Sequence, residues 1–145
     1  MTLKIKKVHP QAILPKRATE GSAGMDLYAC IETPMILEPG KLICIPTGIA
    51  ISLPDNGCAA FLFARSGLAT KHGISLSNGV GVVDSDYRGE ICVGLCNLSS
   101  QPYTIQPKER IAQMVILPVL NLPIQEVSDL DSTQRGAGGF GSTGK

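Results

Sequence analysis

Gly48–Leu53 reads GIAISL, and its large apolar side chains fall on alternate residues, with Ile49, Ile51 and Leu53 on one face and Ala50 and Ser52 on the other. A period of two is that of a half-buried β-strand. Similar short β-like runs lie to either side: KLICIP (Lys41–Pro46), CAAFLFA (Cys58–Ala64), EICVGLCNL (Glu90–Leu98) and RIAQMVILPV (Arg110–Val119). Turn signals separate them, EPG at Glu38–Gly40, LPDNG at Leu53–Gly57 and NLSSQP at Asn97–Pro102, at the spacing of an all-β sandwich or barrel. Sixteen glycines and ten prolines leave little room for long helices, and SGLATKH (Ser66–His72) alone reads as a short one. No internal repeat is found, and the apolar pattern fades only after about Gln125.

With 145 residues the chain is one domain by length, large enough to bury a substantial core. A formal net charge of +1, with no basic run beyond Lys6-Lys7 and Lys16-Arg17, argues against stable nucleic-acid binding. Five cysteines without a C-x-x-C pair, and two distant histidines, His9 and His72, fit buried thiols better than disulfides or zinc. Cys92 and Cys96 share one face of their strand and are expected in the core. Without a leader-like start or a run of about 18 apolar residues, the protein is expected to be cytoplasmic or in another reducing compartment, not secreted and not in a membrane.

Five places carry residues that a core would not request. SAGMDLYA (Ser22–Ala29) sets Asp26 in an apolar segment, where a turn aspartate is an equal reading. ARSGLAT (Ala64–Thr70) puts Arg65, Ser66 and Gly67 where a strand meets the helix, either a phosphate seat or a capped helix start. SNGVGVVDSDYRGE (Ser77–Glu90) suggests a hairpin bared by glycines 79, 81 and 89, with Asp84, Asp86 and the aromatic Tyr87 close by. KERIAQM (Lys108–Met114) places Gln113 in mid-strand, where a buried amide needs partners and, taken singly, a satisfied strand residue is the commoner reading. The fifth is the tail RGAGGFGSTGK (Arg135–Lys145), whose GFGSTGK imitates a phosphate-binding P-loop but has neither the preceding strand nor the following helix. Its Arg135, Phe140, Ser142 and Thr143 are a cation, a flat ring and two hydroxyls, able to close over a phosphorylated aromatic ligand.

In order and spacing these blocks, AGMDLYA, ARSGLA, GVVDSDYRGE, ERIAQM and RGAGGFGSTG, resemble the trimeric dUTPases from about Ile5 to Gly144, with Val83 where the family usually has Ile. The resemblance implies an all-β, jelly-roll-like subunit with one short helix, forming a homotrimer with C-terminal arm exchange. It implies a body of residues 1–127 and an arm of 128–145 closing over a neighbour's site. The activity implied is hydrolysis of dUTP to dUMP and pyrophosphate by in-line water attack on the α-phosphorus, with Mg²⁺ as cofactor. Such an activity limits uracil in DNA and supplies dUMP for dTMP synthesis. By the same resemblance Asp84 activates the water and Gln113 touches the α-phosphate or its water. Arg65, Ser66 and Gly67 hold phosphates, while Asp26 holds water on the Mg²⁺. Asn78, Gly81, Val83 and Tyr87 bind the nucleoside, with Tyr87 flat against the deoxyribose. Phe140 covers the uracil, and Arg135, Gly141, Ser142 and Thr143 belong to the arm's contacts with substrate.

Two other readings share the sequence. A dCTP deaminase of the same fold needs an acid and base at C4 and would release ammonia. A nucleotide-binding sensor has no use for a water-activating carboxylate such as Asp84.

Overall fold

A computed structural model describes residues 1–139, and in that span eleven strands and one helix follow in order. They are β1 (Lys4–Lys7), β2 (Met25–Tyr28), β3 (Met35–Leu37), β4 (Leu42–Pro46), β5 (Ile49–Ser52), β6 (Cys58–Phe63), α1 (Ser66–His72), β7 (Ile74–Leu76), β8 (Gly81–Val83), β9 (Cys92–Asn97), β10 (Tyr103–Ile105) and β11 (Arg110–Pro118). All pairings are antiparallel. One sheet runs β2-β11-β6-β8, a second β4-β9-β7, and the pairs β1-β5 and β3-β10 add two short ribbons. The all-β, jelly-roll-like expectation with a single short helix holds. Among the described residues no helix is long and apolar enough to cross a membrane.

The core is filled by inward residues of both sheets, Leu27, Leu62 and Met114 from the first and Ile45, Val93 and Leu95 from the second, closed by Ile49, Leu37 and Ile105. Burying each side chain of this size stabilises the fold by about 1.5–3 kcal/mol. The strand read from GIAISL is β5, but it is not half-exposed: Ala50 is buried along with Ile49 and Ile51. Ala50 lies opposite Lys6 of β1, and so small a side chain is covered without reaching the core.

Helix α1 has the bounds expected. Arg65 stands before it with extended backbone and makes no side-chain cap, which removes the capped-start reading. Its end is set by Gly73 in the left-handed region (φ 68), where a Cβ would also meet the backbone nitrogen of Ser99 at 2.8 Å.

Two expectations need correction. Only Cys96 of the five thiols is buried; Cys30 and Cys58 are half-buried, and Cys44 and Cys92 are exposed. Cys96 is flanked by Leu42 on β4 and Ser75 on β7, whereas Cys92 lies beyond the end of β7. Nor do β7 and β8 form a hairpin ladder: β7 pairs with β9 and β8 with β6, so the chain passes from one sheet to the other through residues 77–80. The last strand, expected over Arg110–Val119, ends at Pro118, and beyond it the exposed Leu120, Leu122 and Ile124 meet no paired strand among the described residues.

Asn97 is wholly buried and uses its full hydrogen-bonding capacity. Its Nδ2 donates to Leu37 O (2.9 Å) and Gln101 O (2.7 Å), and its Oδ1 accepts from Ser99 N (2.9 Å) and Ser99 Oγ (2.7 Å). This one amide ties β9 to β3 and shapes the turn before β10. Asn97→Leu would leave those backbone groups without partners, and a loss of roughly 2–4 kcal/mol in urea unfolding is expected.

Candidate functional site

Polar side chains gather in two places, the first at the ends of β2, β6 and β11. On β2, Asp26 pairs across to Gln113 of β11, so the two share a face of the sheet. In a regular strand Arg110, three residues before Gln113, would point the other way. The β2–β11 register shifts between Arg110 and Ala112, leaving Ile111 as the extra residue of a bulge. Arg110 thereby lies opposite Tyr28, on the face of Asp26 and Gln113, and its Nη1 donates to Asp26 Oδ2 at 3.2 Å. Arg65, just past β6, donates from Nε to Asp26 Oδ1 at 2.9 Å and from Nη1 to Arg110 O at 3.3 Å. Each oxygen of one carboxylate, 14% exposed, therefore holds one guanidinium. Gln113 donates from Nε2 to Ala64 O at 3.0 Å, fixing its amide beside Arg65. Ser66 and Gly67 open α1 on the exposed side of this group.

The second place is a cleft of about 290 Å³ between β8 and β9, lined by Asn78, Gly81, Val83, Asp84 and Tyr87 and by Ile91–Gly94. Gly81 lies against Leu62, where a Cβ would approach the Leu62 Cβ to 3.0 Å. Asp84 is exposed directly after β8. Tyr87 turns back over it, its N–H donating to Asp84 O at 3.2 Å and its hydroxyl to Glu90 O at 3.0 Å. Gly89 lies against the hydroxyl end of the Tyr87 ring, with no room for a Cβ, and Tyr87 as a whole is 46% exposed.

Cys92 is one of the lining residues that sequence reasoning missed. In an antiparallel strand the N–H and C=O of one residue point to the same side and alternate along the chain. Gly94 O accepts from Ser77 N at 2.9 Å, on the β7 side. Cys92, two residues away, therefore aims its backbone N–H and C=O to that side too, but β7 has already ended at Leu76. The period-two pattern of EICVGLCNL contained this parity, but not where β7 would stop. Burial, then the Cys44 thiol and the Glu90 charge beside it, push the Cys92 thiol up to about 11.

The structure thus unites Asp26, Arg65 and Gln113 in one group and Asn78, Gly81, Val83, Asp84 and Tyr87 in another. It does not join the two groups. Val83 lies two strands across and three residues along from Gln113, a backbone separation of roughly 14 Å. Arg135 is exposed and donates from Nε to Gly138 O at 2.8 Å, within its own tail. Phe140, Gly141, Ser142 and Thr143 lie outside the described residues. Among the described residues no group of three or more His, Cys, Asp or Glu side chains is placed to hold a metal ion.

A family model described as dUTPase matches residues 10–144. The deoxyuridine 5'-triphosphate nucleotidohydrolase of Desulfitobacterium hafniense (strain DSM 10664 / DCB-2) is 55% identical over 131 residues, 90% of this chain and 87% of that protein. The protein of the same name from Bordetella pertussis (strain Tohama I) is 50% identical over 143 residues, 99% and 96% of the two chains. Among solved structures, Staphylococcus bacteriophage 80alpha dUTPase with dUPNHPP aligns with a TM-score of 0.89 at 27% identity, covering 99% of each chain.

Gly24 tests the packing of the first group, since a Cβ there would fall 2.5 Å from Gln113 Oε1 and 3.3 Å from Gln113 Cβ. Gly24→Ala is expected to push the amide off Ala64 O, at a cost of about 1 kcal/mol in thermal unfolding. Turnover is expected to fall by about fivefold, as for a displacement of that energy in the transition state.

Proposed function

Since the chain belongs to the dUTPase family and hydrolyses dUTP to dUMP and pyrophosphate, we propose that the cleft between β8 and β9 takes the deoxyuridine and the Asp26–Arg65–Gln113 group takes phosphates. The observation that carries this is the open backbone of Cys92 beside Asn78, with Asp84 and Tyr87 in the same cleft. Uracil presents acceptor, donor and acceptor along one edge. The Cys92 N–H and C=O with the Asn78 amide supply donor, acceptor and donor. Cytosine reverses part of that edge and leaves buried groups unpaired, a mismatch worth up to roughly 10⁴-fold. The exposed Tyr87 ring, held by Gly89 and Glu90 O, receives the deoxyribose.

In the chemical step a water attacks the α-phosphorus in line, its proton passes to the Asp84 carboxylate, and the bridging P–O bond breaks to release pyrophosphate. Asp84 is exposed, as a residue meeting a water must be. Gln113 steadies the α-phosphate or that water, while Arg65, Ser66 and Gly67 hold the phosphate chain and absorb developing charge. Mg²⁺, bound to the triphosphate, would neutralise charge developing on the phosphates. The described residues suit that arrangement, because Mg²⁺ favours waters and phosphate oxygens over an all-protein cage. Asp26 still has lone pairs beyond the two spent on Arg65 and Arg110, enough to accept from a water of that ion.

The separation of the two groups within one chain supports a site shared between subunits of a homotrimer. Residues 1–127 are the body, and 128–145 the arm that brings Arg135, Phe140, Gly141, Ser142 and Thr143 over a neighbour's nucleotide. Stacking of a base on an aromatic ring is worth about 1–3 kcal/mol, less than the roughly 10 kcal/mol needed to order ten residues. The arm's phosphate contacts carry the remainder, so closure requires the triphosphate.

Asp84→Asn is expected to bind a non-hydrolysable dUTP analogue as the unsubstituted protein does and to lose about 10²–10⁴ in turnover. Near-normal turnover in that variant would remove Asp84 from its role. Co-expressed Asp84→Asn and Arg65→Ala chains, each inactive alone, are expected to regain activity in mixed trimers. No recovery would show that each site is built from a single chain. Tyr87→Ala is expected to narrow the ratio of kcat/KM for dUTP over UTP, a ratio that stays constant if the ring does not touch the sugar.

A further inference from the structure

The Asp26 carboxylate holds two arginines, and only Arg65 has so far been given work. We propose that Arg110 is a second guanidinium contacting the β- and γ-phosphates, set beside Arg65 by the β11 bulge and the two oxygens of Asp26, with Asp26 acting as the positioning residue for both. The inference rests on the dUTPase reading of the site and assigns it one further residue.

Three observations carry it. The bulge at Ile111 moves Arg110 off the core face of β11 and onto the face of Gln113, where a regular strand would not place it. Two guanidiniums against one carboxylate leave a surplus positive charge at this pair, and neither forms an ion pair with the neighbouring acid. Glu109 is turned to the Tyr103 hydroxyl and, at 2.8 Å, to Gln106 N instead. Lastly, Arg110 is half exposed, and among the described residues its side chain makes the Asp26 bond alone. Its remaining N–H donors face solvent in a planar fork that matches two oxygens of a phosphate. An arginine needed only to brace Asp26 would gain nothing from that opening.

The test compares full-length Arg110→Gln and Arg110→Lys with the unsubstituted protein, by calorimetric titration with dUMP, inorganic pyrophosphate and an α,β-imido analogue of dUTP. Loss of a charge-assisted contact predicts a roughly 10- to 100-fold weaker affinity of Arg110→Gln for the analogue and for pyrophosphate. Its dUMP affinity should stay within about twofold, and Arg110→Lys should fall between, keeping the charge without the fork. Unchanged analogue affinity in Arg110→Gln overturns the proposal. So does an equal loss for dUMP and analogue, the mark of a purely structural brace. Should Arg110→Gln melt early, Arg110→Lys decides by the same criterion, selective weakening of pyrophosphate and analogue. Pyrophosphate release from dUTP by the unsubstituted protein is measured alongside. If it occurs while Arg110→Gln binds normally, only the role of Arg110 falls; if it does not occur, the reading of the site falls with it.

Discussion

One extra residue in β11 decides what the polar end of the main sheet can do. Ile111 sits in the bulge and is itself buried, so the strand absorbs the irregularity without exposing apolar surface. Beyond it the register is regular, with Gln113 opposite Asp26 and Phe63, and Met114 opposite Met25 and Leu62. β11 therefore works as two pieces in one strand. Its long part holds β2 and β6 together through the core, and its first residue is turned to a different face. A bulge bends and twists its strand locally, and here it lies inside the packing, with Ile111 and Ala112 both almost wholly buried in the core, so that the core itself holds the irregular register in place.

This explains which parts of the site the sequence revealed. The strands around Ile45, Ile49, Leu62, Val93 and Met114 and the helix Ser66–His72 follow from apolar period and turn chemistry, which are local properties. Asp26, Arg65, Asp84 and Gln113 stood out because polar residues interrupt apolar runs. Arg110 did not, since a charged residue at a strand start looks ordinary and its spacing from Gln113 assigns it the wrong face. Cys92 was read as core for a related reason: period two says which residues share a face but not which neighbouring strand covers them. The crossing of residues 77–80 between sheets depends on Gly81 fitting under Leu62, a tertiary contact without a sequence signature.

The two halves of the site also differ in kind. At the cleft, the proposed recognition falls to backbone groups of Cys92, whose direction is fixed by the β4–β9 pairing rather than by any side chain. That suits a neutral base, whose hydrogen-bonding edge must be matched in angle and order. It also leaves the identity of residue 92 weakly constrained, so that a thiol can stand beside a nucleoside without chemical involvement. Its raised pKa agrees with that, since a protonated thiol at neutral pH is a poor nucleophile.

The group around Asp26, proposed to take the phosphates, has the opposite demand. A triphosphate carries charge that changes position during the reaction, and the partners that meet it must be strong and already in place. Guanidiniums on long side chains are mobile unless something holds them, and water would compete for their donors. Asp26 holds two of them while only slightly exposed, giving up part of the local positive charge in exchange for fixed geometry. A lone arginine would be more strongly positive but less well aimed. Two arginines sharing one carboxylate keep a net positive charge and gain direction, a combination that neither regular strand pairing nor composition could have supplied without the bulge.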